Sequence, residues 1–426
     1  MTMLKHQSDQ NVATVQETVN LPARSTPTPA KALSEMTWRE IAAEINGVNA
    51  FFLVLTPLLS VILLPIYMYH HGWSWSLTAF LVVLYTVSNL SITVCYHRYF
   101  SHRSYDAPAW VQFLFLLVGS MAFQGSALRW STDHRRHHRE VDSDEDPYTI
   151  NKGFFHAHLG WMLFKDRHPE VNVFPVDLKK NKWVMLQDKY YVFVASFMGF
   201  IVPGLLGWAM GLGFWAGMLV GGLTRTVLSQ HSTFLINSAA HSFGDQPYTD
   251  KNSARDSFTM AVLTFGEGYH NYHHFFQADY RNGVRWYQWD PTKWVIGLMA
   301  VVGMAKRLKK VSAEEILKAR IAMEERRILA KGASLERVQA LRERILAAQA
   351  RWKAMQADFA KHKAEFAAYK EQRKAALSAA VHTLPDAWNK VLLEKRAELE
   401  LARIEMKNAI TAWKTYVRTW QRATTA

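Results

Sequence analysis

The chain has 426 residues, a formal charge of +14 and a single cysteine, Cys95. That length exceeds one ordinary domain and leaves room for a principal unit with something appended. The lone thiol excludes an internal disulfide scaffold and a cysteine-based zinc site, so any metal chemistry must use nitrogen or oxygen ligands.

Residues 1–35 are polar, with Ser, Thr and several Pro, and lack the apolar core of a signal peptide; they read as a disordered tail. Residues 49–69 and 76–96 each run about twenty residues without an acid, Lys or Arg, the length that crosses a hydrocarbon layer. The HHGWSW link at 70–75 makes them a hairpin. A second hairpin is expected from 190–210 and 214–235, turning at the Gly-Leu-Gly of 211–213, although Arg225 interrupts its second arm. Neither turn carries Lys or Arg, whereas 97–189 is rich in both, including Arg98, Arg103, Arg135, Arg136, Arg139, Lys179 and Lys180. The positive-inside rule then puts 97–189 in the cytoplasm, and four spans put both termini there too.

Trp110 to Ala127 is apolar as well, and it is expected to lie at the interface, because crossing would separate histidine clusters that must meet to share metals. Trp294 to Met304 is too short to cross. From 306 to 426 the composition turns to Ala, Glu, Lys, Arg and Leu, with breaks at Gly332 and Pro385, which predicts about three amphipathic helices in a charged helical or coiled-coil extension. No chemistry is assigned to it. The expected fold is therefore all-α and integral to the membrane: four transmembrane helices in two hairpins within 36–305, capped by a cytoplasmic helical domain, with a helical tail.

Half of the 18 histidines fall into clusters that this topology places on one side of the bilayer. HRYFSH supplies His97 and His102; HRRHH supplies His134, His137 and His138; NSAAH supplies Asn237 and His241; HNYHH supplies His270, His273 and His274. Spacings of three and four residues project side chains to one helical face, so each triplet is expected to converge on a metal. The five-residue gap from His97 to His102 leaves a helical face, so these two are expected to straddle a helix end and reach the metals from different directions. Any one cluster reads equally well as a solvated patch or a polar turn. Together they need a common explanation, because all sit at span ends an even number of crossings apart. Nine imidazoles exceed the four ligands of one zinc site and suit two ions of a nitrogen-accepting, redox-active metal, for which iron fits best.

These clusters, with MAFQ at 121–124, Trp130 and Asp133, DP at 146–147, GFF at 153–155, HLGW at 158–161 and GEGYHNYHH at 266–274, resemble the histidine boxes and neighbouring motifs of the membrane acyl-CoA Δ9 desaturases, over roughly Trp38 to Met304. The resemblance implies two iron ions held by His97, His102, His134, His137, His138, His241, His270, His273 and His274, with Asn237 holding a water on one of them and no catalytic side chain beyond the metal centre. It implies O2 as co-substrate and an acyl-CoA substrate bent in a narrow tunnel shaped by Gln124, Trp130 and Thr233. Lys165 and Arg167 in FKDRHP are the counterparts of the basic residues that bind the CoA phosphates in that family, although the match there carries an apparent one-residue insertion, and Asp133 is a further substrate-binding candidate.

No His-Pro-Gly-Gly motif of a fused cytochrome b5 occurs, so electrons are expected from a separate protein such as a ferredoxin, cytochrome b5 or reductase. The extension is a candidate docking platform or oligomer contact. A bacterial plasma membrane is favoured over the endoplasmic reticulum. The rival readings are a hydroxylase or ketolase of the same superfamily and a metal-transport or metal-storage membrane protein; nucleic-acid binding through HRRHH lacks a recognisable fold.

Overall fold

The computed structural model describes residues 37–166, 168, 171–376 and 386–422. The expected tail at 1–35, Arg167 and the expected break at Pro385 lie outside the described residues. The described residues form two units, 37–45 and those from Asn46 onward. In the first, α1 (Trp38–Glu44) opens with a capping box: the Thr37 hydroxyl accepts from the Glu40 N–H, and the Glu40 carboxylate accepts from the Thr37 N–H at 2.7 Å.

The second unit is helical, with isolated backbone bridges and no strand among the described residues. Asn46 caps α2 (Gly47–His71), which ends at Gly72 in a positive-φ conformation that lets its N–H reach Met68 O at 2.9 Å. Ser74 then caps α3 (Trp75–Ser91), which widens into a π-helical turn over Ile92–Ser101. A short helix, α4 (Ala109–Ser120), precedes α5 (Ala127–Glu140). The single turn α6 (Trp161–Leu163) is followed by α7 (Val176–Lys180), α8 (Lys182–Lys189), α9 (Tyr191–Ser196) and α10 (Val202–Ala209). Beyond the Gly211–Gly213 turn, α11 (Phe214–Ala216), a π segment (Gly217–Thr224) and α12 (Arg225–Ser238) form one run. The remainder comprises α13 (Phe258–Leu263), α14 (His270–Phe275), α15 (Pro291–Val301), α16 (Ala313–Ala330), α17 (Leu335–Ala376) and α18 (Asp386–Arg422).

Among the described residues, three helices are long and apolar enough to cross a membrane: Gly47–His71, Trp75–Ser101 and Tyr191–Ala209. Only 11% of the apolar stretch of α2 is buried within the protein at a mean hydropathy of 2.3, so the rest of that surface requires lipid. The run from α11 to α12 is less apolar, because Arg225 and the polar residues after it interrupt the pattern. Glycines let it approach α10 closely: a Cβ on Gly207 would lie 2.7 Å from the Gly217 Cα. Arg225 itself is fully buried and donates to the carbonyls of Met121 (2.6 Å), Gly199 (3.0 Å) and Gly221 (2.9 Å) and to the Ser88 hydroxyl (3.2 Å). Its charge is thus held by backbone dipoles that tie four segments together. At 12 residues, α4 falls short of a span.

The segment after the first histidine pair is clamped to the chain preceding the tail by reciprocal backbone bonds between Asp106 and Lys306, both 2.8 Å. Within the tail, α17 and α18 lie antiparallel, with Ile345 beside Ala409 and Trp413 at one end and Phe366 and Tyr369 against Trp388 at the other. The root helix α16 grips the body: Arg326 donates to Asp250 at 2.5 Å and Arg327 to Gln246 O at 2.7 Å.

Candidate metal centre

Four segments bring the histidines together. The π turn closing α3 carries His97 and His102, and the His102 N–H bonds to the His97 carbonyl five residues back, at 3.1 Å. A five-residue gap leaves one face of an α-helix but nearly closes a turn of this wider one. His97 lies within this helix and His102 is its C-cap residue, so the two straddle the helix end as expected, and both rings join the same group. Helix α5 is fixed at its start, where Ala127 N–H donates to Gln187 Oε1 (3.0 Å) and the Ser126 hydroxyl accepts from Arg129 N–H (3.3 Å). Its second half presents His134, His137 and His138. His241 sits in a 3-10 turn after α12. In α14, Asn271 and Tyr272 point into the protein as anchors. Asn271 Nδ2 donates to Thr249 O (2.8 Å) and Ala254 O (2.9 Å), and the Tyr272 hydroxyl donates to Asp279 (2.8 Å). That leaves His270, His273 and His274 facing the other three segments.

The nine rings form two groups, His97, His102, His134, His138 and His273 in one, and His137, His241, His270 and His274 in the other, with ligand atoms within 4.8 Å of one another in each. The expectation that each triplet serves one metal is corrected, because α5 and α14 each contribute to both groups. The Nε2 atoms face each other at 2.8 Å for His102 and His134 and at 3.0 Å for His273 with both His97 and His138. In the second group the separations are 3.1 Å for His270 with His241 and His274, and 3.3 Å for His137 with His274.

A metal–nitrogen bond of about 2.1 Å puts ligands at right angles about 3.0 Å apart and tetrahedral ones about 3.4 Å apart. The spacing of the five-ring group therefore fits an ion of coordination number above four, and the donor set fits a transition metal. Burial and the neighbouring rings hold His134, His138, His241, His270, His273 and His274 below the ordinary imidazole range, so all six are neutral donors at pH 7.

Behind the rings stand partners that fix their orientation. His137 Nδ1 meets Asp146 at 2.9 and 3.0 Å, His97 Nδ1 lies 3.0 Å from Glu267, and His134 Nδ1 is 3.2 Å from the Tyr148 hydroxyl. His241 Nδ1 meets the Ser253 hydroxyl at 2.7 Å, which in turn donates to Asp142 at 2.5 Å. Glu267 also accepts from Arg98 (3.0 Å) and Asn282 (2.6 Å), and Arg98 donates on to both oxygens of Asp290. Burial alone would raise the Glu267 carboxyl, but His97 and Arg98 beside it hold it down at about 2. None of these roles was read from the sequence. Asp146 and Glu267 lay within quoted motifs, and a carboxylate next to a histidine cluster was the available signal. Ser253 offered none.

Among the other expected site residues, Asn237 sits half-buried on α12, four positions before His241. Gln124, Trp130 and Thr233 form a chain in which Trp130 Nε1 donates to Gln124 Oε1 (3.2 Å) and Gln124 Nε2 to Thr233 Oγ1 (2.8 Å). Asp133 lies 3.8 Å from Arg136, and burial pushes its carboxyl up to about 6. Lys165 is exposed on the segment leading to Arg167, which lies outside the described residues. His158 stands apart from both groups, between Ser238 (2.9 Å) and His231 (3.0 Å).

The architecture is that of a helical membrane protein whose buried imidazole groups can hold metal. The model of the fatty acid desaturase family matches residues 73–298, more than half of the chain. The chain belongs to that family. It is 42% identical over 251 residues to a probable acyl-CoA desaturase of Schizosaccharomyces pombe, covering 59% of this chain and 52% of the relative. It is 36% identical over 290 residues to the stearoyl-CoA desaturase of Homo sapiens (66% and 77% covered), and 34% identical over 240 residues to an sn-1 stearoyl-lipid 9-desaturase of Anabaena variabilis (56% and 86% covered). The chain thus spans about half the length of the two yeast acyl-CoA desaturases it matches, 52% and 54%.

Proposed function

We propose that this protein is an O2-dependent fatty acyl-CoA desaturase that places a cis double bond at Δ9 of a saturated chain. The observation that carries the reading is the meeting of nine imidazoles in two adjacent groups in a member of the fatty acid desaturase family. Two iron ions held there would supply the oxidising power: O2 and two electrons, with two protons, take one hydrogen from each of two adjacent methylenes and leave an alkene and two waters. No side chain is basic enough to deprotonate an unactivated methylene, so the protein's work is placement. Asp146, Glu267, Tyr148 and Ser253 hold ring orientation and tautomer, and Asn237 positions a water. Gln124, Trp130 and Thr233 bend the acyl chain and Asp133 contacts the substrate, while Lys165 and Arg167 engage the CoA phosphates, so that bond position follows from depth.

The reading includes a fourth span at 214–235, with both termini and the metal centre cytoplasmic, in a bacterial plasma membrane. The catalytic unit is 36–305, and the extension from 306 is a platform for a partner or a second copy. Electrons come from a separate donor protein. The test is expression in a host unable to make unsaturated fatty acids, beside His137→Ala. Growth without supplement and a new monoene two mass units lighter, both absent from the variant, are expected. A product sixteen units heavier would make the protein a hydroxylase, and identical lipids from both versions would end the catalytic reading.

A further inference from the structure

Away from the histidines, an apolar cavity of about 330 Å³ opens between α4, α8 and the start of α9. Its walls include Leu117 from α4, Trp183 and Leu186 from α8, and Tyr190 and Phe193 at the head of the third apolar span. Phe193 is 73% exposed and Leu186 44%, an apolar surface that water does not favour and that is continuous with the lipid-facing side of Tyr191–Ala209.

The rim has the opposite character. Helix α8 and its C-cap residue present Trp183, Leu186 and Tyr190 toward the cavity at three- and four-residue spacing, while Lys182 and Lys189 lie seven apart beside them. Each ammonium is held over an aromatic lining residue, Lys182 over Trp183 and Lys189 over Tyr190, both at 5.2 Å from the ring centre. Aromatic rings at the head of a span mark headgroup depth, and cations set there beside an apolar cleft match a ligand with an anionic head and a hydrocarbon tail.

We infer that this cleft binds one anionic glycerophospholipid, an acyl chain between α4 and α9 and its phosphate between Lys182 and Lys189. The inference goes beyond the proposed reaction and does not depend on it. The site abuts the metal-bearing helix through Gln187, which lines the cavity, donates to the Tyr96 hydroxyl (2.7 Å) and Ser120 (2.9 Å), and accepts the first N–H of α5 from Ala127 (3.0 Å). A seated acyl chain therefore braces the side chain from which α5 starts.

The test uses the full chain in detergent, titrated with dioleoyl-phosphatidylglycerol, dioleoyl-phosphatidylcholine or glycerol 3-phosphate and followed by native mass spectrometry. One phosphatidylglycerol is expected per chain, with phosphatidylcholine weaker by at least tenfold and glycerol phosphate not competing. The pair Lys182→Gln and Lys189→Gln should weaken phosphatidylglycerol about fivefold per lysine, and Leu117→Trp should abolish binding by filling the cleft. If Leu117→Trp does not fold, quenching of Trp183 by dibromo-phosphatidylglycerol, read as the difference between the wild type and Trp183→Phe, reports the same contact. Equal binding of both lipids, no response to the lysine changes, or displacement by glycerol phosphate would overturn the proposal.

Discussion

Replacing Asp146 with asparagine tests the logic of the metal centre more sharply than removing a ligand. The buried carboxylate receives the Nδ1 of His137 on both oxygens, at 2.9 and 3.0 Å, and also accepts the backbone N–H groups of Asp142 (3.1 Å) and Tyr148 (3.2 Å). It therefore requires the proton on Nδ1 and leaves Nε2 bare for a metal. Because the Asp142 N–H goes to Oδ2 and the Tyr148 N–H to Oδ1, an asparagine of the same shape keeps only one backbone bond, and its amide nitrogen takes the place of the other acceptor beside Nδ1, so the anion that pins the proton there and keeps Nε2 bare is gone.

His137 belongs to the group of four with His241, His270 and His274, so one of that group's four donors is weakened while the group of five keeps all its own. Loss of such a supporting carboxylate costs about 10- to 100-fold in metal affinity, about 1.4–2.8 kcal/mol. The assay is iron per chain after dialysis against a graded chelator series, with Mössbauer spectra of what remains. One ion should be released at chelator strengths 10- to 100-fold lower than from the wild type, and the other at unchanged strength. Two ions retained at wild-type affinity, or both lost together, would refute the assignment of Asp146 to one site.

Thr233→Val removes the acceptor of the Gln124 amide and strands a polar group, which costs about 1–3 kcal/mol. It should lower the thermal midpoint and broaden the double-bond position seen by gas chromatography of the products, whereas Thr233→Ser should restore both. Burial raises the Asp256 carboxyl to about 7, above its unfolded value near 4. Its contribution is therefore fully present below about pH 4 and fades as pH rises through 7, so Asp256→Asn should gain thermal midpoint over the wild type across that window and hold the gain above it. The paired change Arg326→Ala and Arg327→Ala cuts partly exposed contacts worth no more than about 1 kcal/mol. It should speed hydrogen exchange in residues 246–253 several-fold and leave the exchange of α5 unaltered.

The helices that carry the site were legible because span length and histidine spacing are local properties of the chain. The apolar runs of α2 and α3, the 3,4 spacing in α5 and α14, and the turns at Gly72 and Gly211–Gly213 all follow from neighbours along the sequence. The arrangement of the metal groups was not. Whether His137 shares a focus with His134 or with His274 depends on how α5 lies against α14, 137 residues later, and no local pattern encodes that. The π turn that aligns His97 with His102 is equally silent, since it is dictated by what the turn packs on. Arg225, read as a defect in an apolar run, proves to be a tie between segments, because its partners are backbone carbonyls that no side-chain pattern reveals.

The acids stand behind the rings of the centre and not among them: Glu267 behind His97, Asp146 behind His137, and Asp142 behind His241 through Ser253. Two divalent ions would bring four positive charges into a pocket whose nearest three anions are held off by a ring's width. A centre loaded in this way would keep a net positive field at its core and favour the more reduced ions, and its potential could be tuned by altering carboxylates that are not themselves ligands.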